Sequence, residues 1–308
     1  MYKYVFKRIG MLIPVFLGVT LVIFTLSYIT PGDPVRMILG EVAPPQAIAQ
    51  LRDELGLDNP FLVRFFNYLL DAIRLDFGNS YQTKRPVFTE IKARFPTTMQ
   101  LAGMSVALAL ALGLPLGILS ATKQYTVFDA GANFLGLLGT SIPNFWQGMI
   151  LIVVFSVTYR ILPPSGWSTP WHRILPVVTI GTSGTAIIMR MTRSSMLEVI
   201  RQDYIRTARA KGQRESKVIF KHALKNALIP VTTTAGLQFG SMLGGAVLTE
   251  TIFAIPGLGR YMVDAILTRD LPVILGGVLL ISIAFSVVNL LVDILYAFID
   301  PRIRSQYS

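Results

Sequence analysis

Six uncharged, mainly apolar runs, at 9–32, 95–122, 130–159, 174–189, 226–249 and 271–292, constrain this chain more than any other feature. An apolar helix needs about 20 residues to cross a hydrocarbon core of about 30 Å, and in lipid it must satisfy its own backbone. Five of the six runs have that length. The sixth, 174–189, is flanked by Arg173 and Arg190, whose long stems let their charged heads reach the interface. The expectation is an all-α polytopic membrane protein with six transmembrane helices. An apolar content of 52% against 15% charged residues agrees with it. The first run exceeds the apolar part of a signal peptide and no small-residue cleavage site follows, so it is expected to stay as a span.

Charge sets the expected orientation. Lys3, Lys7 and Arg8, the 123–129 loop, the 190–225 loop and the tail with Arg302 and Arg304 fall on one side and sum to about +10, against about +1 on the other. The basic side is cytoplasmic by the positive-inside rule, which places both termini inside. The same rule accounts for the net +11, so nucleic acid is not needed as a partner. The chain then divides into a cytoplasmic start (1–8), a first transmembrane helix (9–31), an external loop (32–98) and a core (99–308) with five further spans. Within the core, 190–228 is a cytoplasmic loop.

That loop concentrates the charge. Residues 190–230 hold ten Lys or Arg and three acids, about two-thirds of the net charge. Met196, Ile200, Tyr204 and Ala208 are spaced as one helical face, with Arg201, Arg206 and Arg209 on others. Gly212 is placed to close that helix, since glycine takes the left-handed conformation of a helix exit without steric cost. A second amphipathic run follows, with Ile219, Ala223 and Ala227 spaced by four, and Pro230 marks its end or a kink. A helix, a glycine break and a second helix between two spans make a compact docking knob.

The external loop reads as folded. Asn59-Pro60 is a helix start, Phe61, Phe65, Tyr68, Leu69 and Ile73 make an apolar face, Gly78-Asn79-Ser80 is a turn, and Pro86 opens another short helix. A cap on the bundle and direct substrate contact both fit. Pro115, Gly113 and Gly117, then Gly136, Gly139 and Pro143, permit close approach and kinks. Trp167 and Trp171 sit where aromatic belts sit. Thr182 and Ser183 in span 4, and Thr234, Gln238 and Ser241 in span 5, are small or polar without charge; they suit a translocation path or close helix packing. Residues 250–260 are too short to span and read as a short outer helix or a re-entrant turn. Asp293, near the inner end of span 6, is open between a functional acid and a structural pairing.

Several chemistries are missing. Without a Gly-Lys dipeptide there is no phosphate-cradling GxxxxGK[ST] loop. Gly181-Thr182-Ser183-Gly184 resembles the serine motif of rhomboid-type proteases, but the only histidines, His172 and His222, fall outside the spans, where neither reaches that serine as a base. Zero cysteines and two isolated histidines make no metal site. An ion-coupled carrier, which places ionisable groups or broken helices near the midplane, remains the rival from another class, with Asp293 as its acid.

The 206–212 stretch, Arg-Thr-Ala-Arg-Ala-Lys-Gly, resembles the "EAA" loop of bacterial ABC importer permeases of the dipeptide/oligopeptide/nickel class. Arg206 replaces the loop's Glu and Thr207 its first Ala, while Ala208 and Gly212 match. The fuller stretch from Asp203 is the form of the peptide class. Pro31-Gly32-Asp33-Pro34, Leu55 to Pro60, Asp76 to Ser80, Ile255 to Gly259 and Asp300 to Arg304 resemble that class too, so the likeness covers nearly the whole chain. It implies a coupling helix seated in a cleft of a separate ATPase, with Asp203, Tyr204, Arg206, Thr207, Ala208, Arg209, Ala210, Lys211 and Gly212 forming the contact. It also implies a second permease, two ATPases that carry ATP and magnesium, an external binding protein, and no catalysis or cofactor in this chain itself. Short peptides are the expected cargo, with nickel chelates or other small solutes as the alternative.

Overall fold

The computed structural model describes the backbone of residues 2–29, 33–40 and 42–299, and their side chains other than 2–9, Leu12, Asp293 and 295–299. Pro31, Gly32, the Asp293 side chain and the 300–304 motif, all singled out above, lie outside the described residues. The described chain is helical, with one isolated bridge between Asn79 and Pro86.

In order, the helices are α1 (Tyr2–Ile29), α2 (Pro34–Leu39), α3 (Pro45–Glu54), α4 (Phe61–Ile73), α5 (Val87–Thr122), α6 (Val127–Ser141) and α7 (Asn144–Leu151). A π-helical stretch, Ile152–Thr158, continues α7. Then come α8 (Pro170–Ile200), α9 (Asp203–Ala210) and α10 (Glu215–Lys217), a second π-helical stretch (Val218–Ala223), α11 (Leu224–Ile252), α12 (Leu258–Leu267) and α13 (Leu271–Ile299). By length and apolarity α5, α8 and α13 can each cross a membrane, and Ile13–Ile29 of α1 is a shorter apolar stretch. α11 is 29 residues long, and its Thr232–Thr234 cluster, Gln238 and glycines interrupt its apolar stretches.

Four expectations change. The 130–159 run is not one straight helix: α6 and the α7 unit meet at 100°. Ile142 is extended there (φ −85°, ψ 123°) because the ring of Pro143 disfavours a helical residue before it. Pro86 opens no separate short helix; α5 runs 36 residues from Val87 through Pro96 and Pro115 to Thr122. The short 174–189 run lies inside the 31-residue α8, so Arg173 and Arg190 are helical residues rather than flanks. Pro230 neither ends nor breaks α11, whose ladder continues past it, with the Thr234 hydroxyl donating to the Pro230 carbonyl at 2.9 Å.

The centre is α5 packed on α8, and small residues set the approach as expected. A Cβ on Gly117 would come within 2.5 Å of Thr192 Cβ, and one on Gly113 within 2.9 Å of Ile188 Cγ2. Gly136 and Gly139 of α6 face Met189 and Thr182 of α8 in the same way, and Gly236 and Gly240 of α11 receive Val292 and Phe285 of α13. Trp167 belongs to the buried core rather than to an aromatic belt: its indole N–H donates to Gln100 Oε1 at 3.4 Å and Arg173 stacks over it, while Trp171 is exposed.

Candidate functional site

The segment 203–212 is built from a break, a short helix and a glycine exit. α8 stops at Arg201, Gln202 turns extended (φ −71°, ψ 150°), and α9 starts afresh at Asp203. The expected single helix from Met196 to Gly212 is therefore two. The break resets the helical phase, so the inward position falls to Ile205 instead of Tyr204. Ile205 and Ala208 are buried, with Met196 of α8, Ala121 of α5, Val218, Ile219 and Ala223 of the π-helical stretch, and Ala227 of α11. Tyr204 is 44% exposed and its hydroxyl accepts from Asn226 Nδ2 at 2.7 Å.

Gly212 does what its position predicts, one helix later. It has φ +71°, its N–H donates to Arg209 O at 2.9 Å, and Gln213 N–H reaches back to Ala208 O at 3.4 Å. This is a Schellman exit, which gives the Ala208 and Arg209 carbonyls partners at the last turn. A Cβ on Gly212 would meet nothing within 4 Å, so the demand on that residue is conformational rather than steric. Beyond the exit, Arg209 forks onto Glu215 (2.7 and 3.1 Å) and holds its carboxyl below the usual carboxylate range. His222 pairs with Gln213 Oε1 at 2.9 Å, one more polar contact of this segment.

The outward face of α9 carries Asp203, Arg206, Thr207, Ala210 and Lys211, all exposed. Arg206 touches Asp203 at 3.5 Å and the Thr207 hydroxyl donates to Asp203 O. A short helix with an apolar seat on its own chain and a small, cationic outer face can present itself to another protein.

The hydrogen bonds of the path candidates run to other residues. Thr182 turns toward the bend, accepting from Gln147 Nε2 at 3.1 Å and lying against Gly139. Gln238 lies beside Gly184, across α8 and α11. The Ser183 and Thr234 hydroxyls donate to their own helices, at Ile180 O and Pro230 O, and Ser241 is exposed.

Four constellations escaped the sequence reading. At the α9 end of the bundle, Asp129 of α6 accepts both arms of Arg193 of α8, at 2.7 and 2.8 Å. Asp129 borders one charge-free run and Arg193 lies three residues past Arg190, which borders another; those edges were the available signal. At the opposite end, Glu250 is fully buried; it accepts from the Thr98 hydroxyl at 2.6 Å and from Arg260 N–H at 3.0 Å. The Ile255-to-Gly259 motif now has a cause: a Cβ on Gly257 would sit 2.2 Å from the Glu250 carboxyl carbon. Asp270, also buried, receives the Ser80 hydroxyl and the N–H groups of Tyr81 (3.1 Å) and Gln82 (3.3 Å), which ties the Asp76-to-Ser80 motif to the start of α13. Arg52 likewise bridges Asp33 (2.9 Å) and Asp58 (3.2 Å), joining two more motifs.

Residues 113–305 match the family described as binding-protein-dependent transport system inner membrane component, and residues 1–102 match its N-terminal membrane-component unit. The chain belongs to that permease family. The dipeptide transport system permease DppB of Escherichia coli K12 is 44% identical over 336 aligned positions, covering 99% of both chains. A di/tripeptide permease DppB of Pseudomonas aeruginosa is 42% identical over 335 positions, and the glutathione permease GsiC of Salmonella choleraesuis is 44% identical over 304. Among solved structures, the inward-facing MetNI methionine ABC transporter matches with a TM-score of 0.55 at 17% identity, over 68% of this chain and 96% of that one. An amino acid ABC transporter matches at 0.52 and 16% identity, over 70% of this chain and 94% of that one. These two share the fold. The permease is thus a multi-pass inner-membrane transport subunit.

Proposed function

We propose that this permease carries short peptides inward through a six-span path, with both termini cytoplasmic, and that α9 is its coupling helix to a separate ATPase. The spans are α1, α5, the bent α6–α7 unit, α8, α11 and α13. The observation that carries this is the seating of α9: Ile205 and Ala208 hold it on the ends of α5 and α8, while Arg206, Ala210 and Lys211 face outward. The partners are a second permease, two ATPases that hold ATP and magnesium, an external binding protein and membrane lipid. Peptide cargo is supported by full-length likeness to relatives named for dipeptides, di/tripeptides and glutathione.

Relatives named for dipeptide and for glutathione are equally identical to this chain, at 44%, so both cargoes fall within the reading. Mild-detergent purification from its own cells, with co-purifying proteins identified by mass spectrometry, tests the assembly. Recovery of a second permease and P-loop ATPases is expected; recovery of the chain alone would sink the reading. Uptake of labelled dipeptide in competition with glutathione then separates the two cargoes.

A further inference from the structure

One carboxylate pins three helix ends beneath α9. Asp129, at the start of α6, has a side chain only 7% exposed, and it is saturated. Its Oδ1 accepts from Ser120 Oγ at the end of α5, from Arg193 Nε at 2.7 Å and from Asn133 Nδ2 at 2.8 Å. Its Oδ2 accepts from Arg193 Nη2 at 2.8 Å and from the Tyr125 N–H at 3.1 Å. Tyr125 has φ +64°, a conformation unfavourable for a non-glycine residue, and this hydrogen bond helps hold it. The α5–α6 turn is thus shaped around the carboxylate.

The pin and the α9 seat share the same short helix segments. Ala121, which packs in the Ile205–Ala208 cluster, is the neighbour of Ser120, and Met196 of that cluster lies one turn beyond Arg193. A push on α9 therefore bears on helix ends already locked to one another and to α6. We propose that Asp129 and Arg193 are positioning residues of the transport step, making the α5, α6 and α8 ends one rigid corner that carries movement of α9 into the membrane helices. This rests on α9 being the coupling helix.

A buried pair that loses one partner leaves an uncompensated charge, so the test removes both. The chain has no cysteine of its own, which makes Asp129→Cys/Arg193→Cys a clean pair for a short, reducible bifunctional thiol reagent. The purified complex is reconstituted, and peptide transported per ATP hydrolysed is measured at equal membrane abundance. Without the link, ATP hydrolysis persists and transport per ATP falls by about five-fold or more, the low end of a coupling free energy. The link restores the ratio and reductant abolishes it again. Ser120→Ala, which keeps the ion pair, gives a smaller loss in the same direction and serves if the double variant does not accumulate. An unlinked variant with the unmodified ratio, a link that fails to restore it, or a Ser120→Ala protein with the full ratio would each overturn the proposal. An unmodified complex that lacks ATPases would instead sink the coupling reading itself.

Discussion

The two ends of the bundle hold their short peripheral helices by opposite means. α9 rests on apolar side chains, Ile205 and Ala208 against the ends of α5, α8 and α11, and keeps its charges outside. α12 is fixed at its start by polar chemistry drawn inside: buried Glu250 and the Thr98 hydroxyl accept backbone N–H groups of its first turn, with glycines cleared to admit the carboxylate. An apolar seat is tolerant of small shifts and leaves a surface free for a partner. A hydrogen-bonded carboxylate in a glycine-walled slot has one acceptable geometry. The difference suits a movable contact at one end and a fixed turn at the other.

The largest effect that would break this comparison lies at Gly257. Gly257→Ala should abolish membrane accumulation or lower the melting temperature sharply, because its methyl group overlaps the Glu250 carboxyl group. In a Glu250→Ala background the same change should cost much less, and a double-mutant cycle in thermal stability reads that coupling. Strict additivity would mean the slot is not what the glycine serves. Next comes Asp270→Ala, which orphans the Ser80 hydroxyl and two backbone N–H groups and should cost about 2–3 kcal/mol. Limited proteolysis should then cut within 78–86; an unchanged digest would refute the clamp.

At Gly212 the prediction separates conformation from bulk. Gly212→Val should uncouple transport while leaving insertion intact, since a β-branched residue at φ +71° costs about 1–2 kcal/mol. Gly212→Asn, which tolerates that region, should transport nearly normally. Equal transport by both variants would remove the Schellman exit from the account. The smallest effect is at Arg209–Glu215, an exposed pair screened by solvent and worth roughly 0.5 kcal/mol or less. The folded state lowers the Glu215 pKa, so this stability is present above the ordinary carboxylate range and is lost as pH falls through the depressed value. Glu215→Gln should flatten that small acid limb of a melting curve.

Much of the α9 end was legible in the sequence because its signals are local: a charge cluster, apolar residues at helical spacing and one glycine needing a positive φ. Even so, spacing alone joined Met196 to Ala208, because nothing in Arg201-Gln202 announces a break. The fold class was legible from the charge-free runs, while the 100° bend at Ile142–Pro143 read only as a kink. The motifs at the opposite end appeared as resemblance without a cause, since each is completed by a residue outside it: Leu258 by Thr98, Ser80 by Asp270, Asp33 by Arg52. The path candidates stayed ambiguous in the sequence because small polar residues also pack helices, as Thr182 does against Gly139.

The most direct test of α9 as the contact for a motor is photo-cross-linking in intact cells, with the probe placed at exposed Ala210 and, for contrast, at exposed Leu267 of α12. The account predicts capture of a P-loop ATPase from Ala210 and none from Leu267. Capture of an external protein from Ala210, or of the ATPase from Leu267, would contradict both the orientation and the docking assignment.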